Sequence, residues 1–242
     1  NYNNNDDLLG IDINKRKTYA IDGFSMTSNY DNLIYKHFSQ IDNLVNLKYG
    51  MNPHQSTTQV SLVENYEYEP FSVINGVLGL INVIDIIHGW LTIKEVDSLL
   101  NLPAAISMKH TSLAGLAVGS NISDNTLNFF NLSNDNENIT DVSIAFMKSR
   151  IGDPLSSFGD FICISREVDE FTASLIKKEV CDGIAAPSFS QQALEILKTK
   201  KNGKFIILQM NNHYYNNIIK TGWKESKEIY GIKLSQPNNN YI

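Results

Sequence analysis

Short apolar runs bounded by turn residues recur along this chain, and most are followed by a segment with helical spacing. The strand-like runs are FSVING (71–76), LPAAISM (102–108), SFGDFICIS (157–165), GIAAPS (183–188) and KFIILQM (204–210). Helical spacing covers YDNLIYKHFSQ (30–40), LINVIDIIHGWLTIKEVDSLL (80–100), EFTASLIKKE (170–179) and QQALEILKTK (191–200). The small-residue run LAGLAVGS (113–120), starting near Ser112, reads as one further helix. Strands separated by helices of ~10–15 residues fold as a mostly parallel sheet covered on both faces. Asn82 stands where it would cap the helix over 80–100, with Asp85 three residues on. In such sheets ligands sit outside the carboxyl ends of the strands, so those loops are where function is sought.

Composition removes several classes. Apolar residues make up 42% of the 242, which is enough for a core, and the net charge of −6 argues against general nucleic-acid binding. Cys163 and Cys181 form no CxxC, which fits a reducing cytoplasm rather than a disulfide framework or a zinc-cysteine site. No apolar run approaches the ~20 residues of a membrane helix, and NYNNNDDLLG lacks the layout of a signal peptide. Asparagine-rich tracts (NYNNNDD, NLSNDNENIT, NNHYYNN, QPNNNYI) read as tails and loops. No HExxH, Walker loop, GxSxG, GxGxxG or zinc-deaminase motif occurs, so no metal is expected.

The strand-end rule selects Lys109 and His110, which close a buried strand just before the small-residue run. A cation beside an imidazole suits proton transfer, because the lysine tends to hold the histidine neutral and basic. The alternative is a surface lysine beside a structural histidine. Ala114, Gly115, Ala117 and Gly119 leave room for a ligand, and a helix starting there would add unpaired N–H groups. The same rule selects Ser188 and Asn211, each of which could equally be a turn or cap residue. Asp153, in GDPLSSFGD, either orients a base or starts a turn. NLKYGMNPHQ (46–55) gathers Lys48, Tyr49, Asn52, His54 and Gln55, the side chains that grip phosphates, ribose hydroxyls and heterocycle edges.

LKYGMNPHQ, SMKHTSLAGLAVG, SSFGDF, EVCDGIAAPSF and KKNGKFIILQM occur in an order and at spacings that resemble AICAR formyltransferase. That is the larger part of the bifunctional purine-synthesis enzyme that also carries IMP cyclohydrolase; AICAR is 5-aminoimidazole-4-carboxamide ribonucleotide. The resemblance runs from about Lys17 to Gln236. It implies a three-layer α/β/α, cytidine-deaminase-like lobe without zinc. Residues 1–44 would be the tail of the cyclohydrolase domain and a linker, KTYAIDGFSMTSNYDNLIYKHFS being its last helix and strand. Residues 45–236 would be the first transformylase lobe, and 237–242 the hinge to a second lobe.

The implied activity is formyl transfer from 10-formyltetrahydrofolate to AICAR in de novo IMP synthesis, in a cytoplasmic homodimer with its active site near the subunit interface. His110 would be the base, and Lys109 would stabilise the oxyanion or protonate the leaving nitrogen. Lys48, Tyr49, Asn82, Ser188 and Asn211 would contact the nucleotide. The family commonly has arginine at position 48, glycine at 188 and aspartate at 211. Those departures bear on affinity more than on chemistry. The alternative function is a nucleotide-binding, dimer-forming lobe without turnover of its own.

Overall fold

The computed structural model describes residues 12–39, 45–52, 54–56, 58–61, 69–133, 136–218 and 224–237. The chain divides into two compact units, Asn1–Val45 with Val60–Val63, and Asn46–Gln59 with Glu64–Ile242.

In the first unit, α1 (Ile13–Ser39) is one uninterrupted helix of 27 residues. The Asp12 carboxylate accepts the Asn14 N–H at 3.2 Å, satisfying one of the free donors at the helix start. Phe24 and Met26 are exposed on it. The expected helix-then-strand of residues 17–39 is therefore corrected to a helix throughout. Two strands of two residues each, β1 (Val45–Asn46) and β2 (Gln59–Val60), follow, each with one residue in either unit.

The second unit is built on a six-stranded sheet of β3 (Phe71–Asn75), β4 (Ala104–Lys109), β5 (Ser112–Val118), β6 (Asp160–Ile164), β7 (Cys181–Ala186) and β8 (Ile206–Met210), in the order β3-β8-β7-β6-β4-β5. Only β6, β7 and β8 run parallel. β3 is antiparallel to β8, β4 to β6, and β5 to β4, so the expected mostly parallel sheet is corrected to a mixed one. The consequence is positional. Met108 pairs with Phe161, which puts the carboxyl end of β4 beside the amino end of β6.

Helices cover both faces, giving three α/β/α layers. On one face α2 (Leu80–Leu100) buries Val83, Ile86, Trp90 and Ile93 completely or nearly so. On the other, α4 (Asp141–Ile151), α5 (Glu170–Lys178) and α6 (Gln191–Lys198) pack Phe146, Met147, Leu175, Ile176 and Leu197 against Ala105, Ile162 and Ile184 of the sheet. The short helix α3 (Asp124–Phe129) adds Leu127 to this cluster.

The small residues after His110 have a structural cause. LAGLAVGS is not a helix but β5, and α4 lies directly on it. A Cβ at position 115 would stand 1.9 Å from the Ser149 carbonyl oxygen, so only glycine admits the helix backbone there. At Gly115 and Gly119 the expected ligand clearance is thus filled by α4. That helix emerges from the asparagine-rich tract by a reciprocal cap: the Ser143 N–H donates to Thr140 Oγ1 at 3.1 Å, and the Thr140 N–H to Ser143 Oγ at 2.9 Å. α7 (Asn212–Ile218) and a hairpin of β9 (Lys224–Ile229) and β10 (Ile232–Pro237) complete the unit.

Candidate functional site

Lys109 ends β4 and Ser112 begins β5, leaving His110 and Thr111 alone to reverse the chain. Both carry positive φ, 53° and 62°. A two-residue hairpin of this hand wants Asn-Gly, and L-residues held there are strained by roughly 1–2 kcal/mol each. A β-branched threonine is the least expected occupant. The strain has a visible counterweight in the carboxylate of Asp85, on α2, which accepts the Thr111 N–H at 2.5 Å. Asp85 is only 4% exposed. Burial pushes its carboxyl pKa up, opposed by the Thr111 amide, the His110 charge and amide, and the His88 charge. The expected role of Asn82 as cap is corrected in detail. Gly79 is the cap position, and the Asn82 side chain reaches back from within the helix to accept the Gly79 N–H at 3.0 Å. That leaves the Asn82 amide N–H groups as what it can offer a ligand.

Below the turn lies a buried polar floor. Arg150, on α4, donates to Asp160 at the start of β6, to Glu179 at 3.3 Å and to the Val180 carbonyl at 2.8 Å. The second Asp160 oxygen accepts the Ser107 hydroxyl at 2.5 Å. Ser107 also bonds Ser157 at 2.9 Å. Arg150 and Asp160 are 4% and 1% exposed. Burial raises the Asp160 pKa, against the pull of the Arg150 charge. This network fixes the 157–160 turn, whose Phe158 carbonyl accepts the Lys109 ammonium. Gly159, at φ +74°, continues that turn in a conformation a side chain would strain.

Lys109 and His110 stand between two recesses. One, of about 450 Å³, is lined also by Asn82, Asp85, Gly159 and Asp182. The other, of about 350 Å³, is lined also by Leu113, Ala114 and Leu155. Leu155, a large apolar side chain, is 89% exposed. The sequence-derived pair is therefore shared by two recesses, and each has polar and apolar walls: Ile81, Phe158, Phe161 and Val180 also line the first, and Ser112 and Ser156 the second. Gly159 and Asp182 escaped the sequence reading because they lie at or near the amino ends of β6 and β7, where the strand-end rule does not look, and Asp85 stood out there only as a neighbour of Asn82 near a helix start.

The 46–55 loop is tied to the same rim. The Lys48 N–H donates to the Leu78 carbonyl at 2.8 Å, and the Leu80 N–H to the Tyr49 carbonyl at 3.2 Å, docking the loop on the start of α2. The Lys48 ammonium lies 5.8 Å from the Tyr49 ring centroid. Asn52 and Gln55 bond each other, at 2.8 Å from the Asn52 N–H to Gln55 Oε1, and His54 is exposed. Asp153 accepts the Ser156 N–H and hydroxyl, so it shapes its own turn.

Ser188 and Asn211 lie on the opposite rim, at the carboxyl ends of β7 and β8. A strand length of ~17–20 Å separates the two rims. The Ser188 hydroxyl donates to Glu167 at 3.1 Å. Asn211 donates to the Glu69 carbonyl at 3.0 Å and accepts the His213 and Tyr214 N–H groups at 3.0 and 3.3 Å, capping α7. Of the seven sequence-derived site residues, Lys48, Tyr49, Asn82, Lys109 and His110 are thus brought to one rim, and two are not.

Among the described residues no group of three or more His, Cys, Asp or Glu side chains could hold a metal ion. None of their helices is long and apolar enough to cross a membrane. Two relatives, each described as a bifunctional purine biosynthesis protein PurH, frame the comparison. The one from Clostridium botulinum (strain Hall) is 30% identical over 96% of this chain and 42% of its own length. The one from Clostridium perfringens (strain SM101) is 29% identical over 79% of this chain and 36% of its own length. The chain thus spans about two-fifths of the length of these relatives. The family model described as AICARFT/IMPCHase bienzyme matches residues 3–242, and the chain belongs to that family.

Proposed function

We propose that this chain is the first lobe of a purine-synthesis transformylase, moving a formyl group from 10-formyltetrahydrofolate to AICAR. One observation carries the reading: a single lysine–histidine pair shared by two adjoining recesses. A transferase that joins two substrates needs its proton-handling groups where both can reach them. The first recess, with the Asn82 amide and Asp182, suits a carboxamide-bearing heterocycle, and Lys48 and Tyr49 at the same rim suit its ribose phosphate. The recess with Leu113, Ala114 and Leu155 suits the flat ring system of a folate.

In this reading the 5-amino nitrogen of AICAR attacks the formyl carbon, and its proton passes to the His110 imidazole. The Lys109 ammonium faces the oxygen that gains charge, or protonates the departing folate nitrogen. Folate is a co-substrate, and no metal takes part. Ser188 and Asn211, facing away on the far rim, would reach a nucleotide only through a second copy, in a homodimer with the active site near its interface. Residues 1–44 are assigned to the end of a cyclohydrolase domain, 45–236 to this lobe and 237–242 to a hinge; residues 1–11, 40–44 and 238–242 lie outside the described ones. The two free, buried cysteines suit a cytoplasmic setting.

The separation of the rims also favours a second reading, a lobe that binds nucleotide and dimerises without turnover of its own. Calorimetry with AICAR, followed by a folate-coupled absorbance assay, decides between them. Binding with formyl transfer supports the transformylase. Binding without it supports the lobe, and absence of binding removes both.

A further inference from the structure

The described residues outside the reaction pair include one buried carboxylate aimed at it. Asp85 is 4% exposed, lines the larger of the two recesses beside the pair, and comes from a different element than the turn it touches. Its Oδ1 accepts the Thr111 N–H at 2.5 Å. The turn in question holds His110 and Thr111 at φ 53° and 62°, with no glycine or asparagine to make that conformation easy. Left to itself a His-Thr pair would relax toward negative φ. Relaxation would rotate the peptide between them and swing the imbalance outward along the hairpin, moving the His110 imidazole and the Lys109 ammonium relative to the recesses. The Thr111 hydroxyl bonds the His110 carbonyl at 2.6 Å, a contact within the turn that cannot anchor it to the rest of the fold. The tie to α2 can.

We propose that Asp85 is a positioning residue for formyl transfer: its carboxylate holds the His110–Thr111 turn in the left-handed geometry that places His110 and Lys109 between the two recesses. The proposal rests on the transformylase reading above. Its mechanical part, the link between Asp85 and the turn, does not. What the role requires of Asp85 is an acceptor oxygen at this place rather than a negative charge. Asparagine, with one amide oxygen in the same shape, therefore keeps the tie, and alanine loses it.

The experiment uses the full-length protein with Asp85→Ala and Asp85→Asn. Formyl-transfer kcat falls about 10–100-fold in Asp85→Ala, the scale expected when reacting groups are displaced by about an ångström. The Kd for AICAR stays within about threefold, and Asp85→Asn recovers kcat to within about threefold of wild type. Backbone NMR supplies the readout independent of activity. The Thr111 amide exchanges with solvent faster in Asp85→Ala than in wild type, and Asp85→Asn keeps its protection. Should wild type itself show no transfer, the functional reading falls, and the amide exchange still decides whether Asp85 holds the turn. Unchanged exchange and kcat in Asp85→Ala overturn the proposal. So does an Asp85→Asn protein as impaired as Asp85→Ala, which would make charge the requirement, or a loss confined to AICAR affinity, which would make Asp85 a ligand contact. If Asp85→Ala does not fold, Asp85→Asn alone decides, since its protected Thr111 amide and near-wild-type kcat are required.

Discussion

The two rims of the sheet answer the same sequence rule in opposite ways. Lys109–His110 and Asn211 both follow strands, yet β4 runs against β6, so the carboxyl end of β4 opens on one rim and that of β8 on the other. On the first rim the polar side chains border two recesses and rest on a buried network of Arg150, Asp160 and Ser107. On the second, Asn211 also lines a recess, of about 420 Å³, but its amide oxygen caps α7 and its amide nitrogen donates to the Glu69 carbonyl. A strand end is thus a place where function can be built. Which rim carries it depends on what supports the turn from below.

The largest effect expected is on that support. Asp160→Ala strands the buried Arg150 guanidinium, and urea unfolding should show a loss of about 3–5 kcal/mol. A loss below about 1 kcal/mol would mean that the first rim has no buried ionic floor, and the contrast between the rims would collapse. Next comes ligand affinity. Lys48→Ala should raise the Kd for AICAR about tenfold or more, because a charge-assisted phosphate contact contributes about 1.5–3 kcal/mol.

Asn211→Ala should cost about 1 kcal/mol of stability through the lost cap, read as a lower denaturant midpoint. A weaker AICAR affinity with no change in midpoint would show instead that the second rim is a ligand surface in its own right.

The smallest effect concerns how dry the first rim's floor is. Burial pushes the Cys181 thiol, at the start of β7, up to about 12. A thiol whose folded pKa lies above its unfolded value of 9.0 stabilises the fold fully below that pH and loses the contribution as pH rises toward 12. Between pH 8 and 9.5 wild type should therefore lose stability, and Cys181→Ala should remove a little under ~1 kcal/mol of that fall. An identical pH profile in the variant would mean that water reaches this strand end.

Much of this was legible in the sequence. The helix read over residues 80–100 is α2, and the apolar runs at 157–165 and 204–210 contain β6 and β8, because length and burial there leave little choice. β5 was not legible. Its alanines and glycines carry no period, and a His-Thr turn gives none of the Asn-Gly signal that marks a hairpin. Missing the hairpin meant missing the antiparallel β4, and with it the fact that Ser188 and Asn211 face away from His110. Asp85 was visible only as a neighbour of Asn82 near a helix start. Its contact with Thr111, 26 residues on, depends on how α2 packs against β4, which no local pattern encodes.

The central claim is that the His110 turn handles the proton in formyl transfer, and His110→Ala in the full-length protein tests it most directly. A group used mainly as the transition state forms lowers kcat when removed and leaves substrate affinity nearly unchanged. Steady-state transfer should therefore fall by about 10²–10⁴ in kcat, with the AICAR Kd within about threefold of wild type. A kcat equal to wild type would contradict the account.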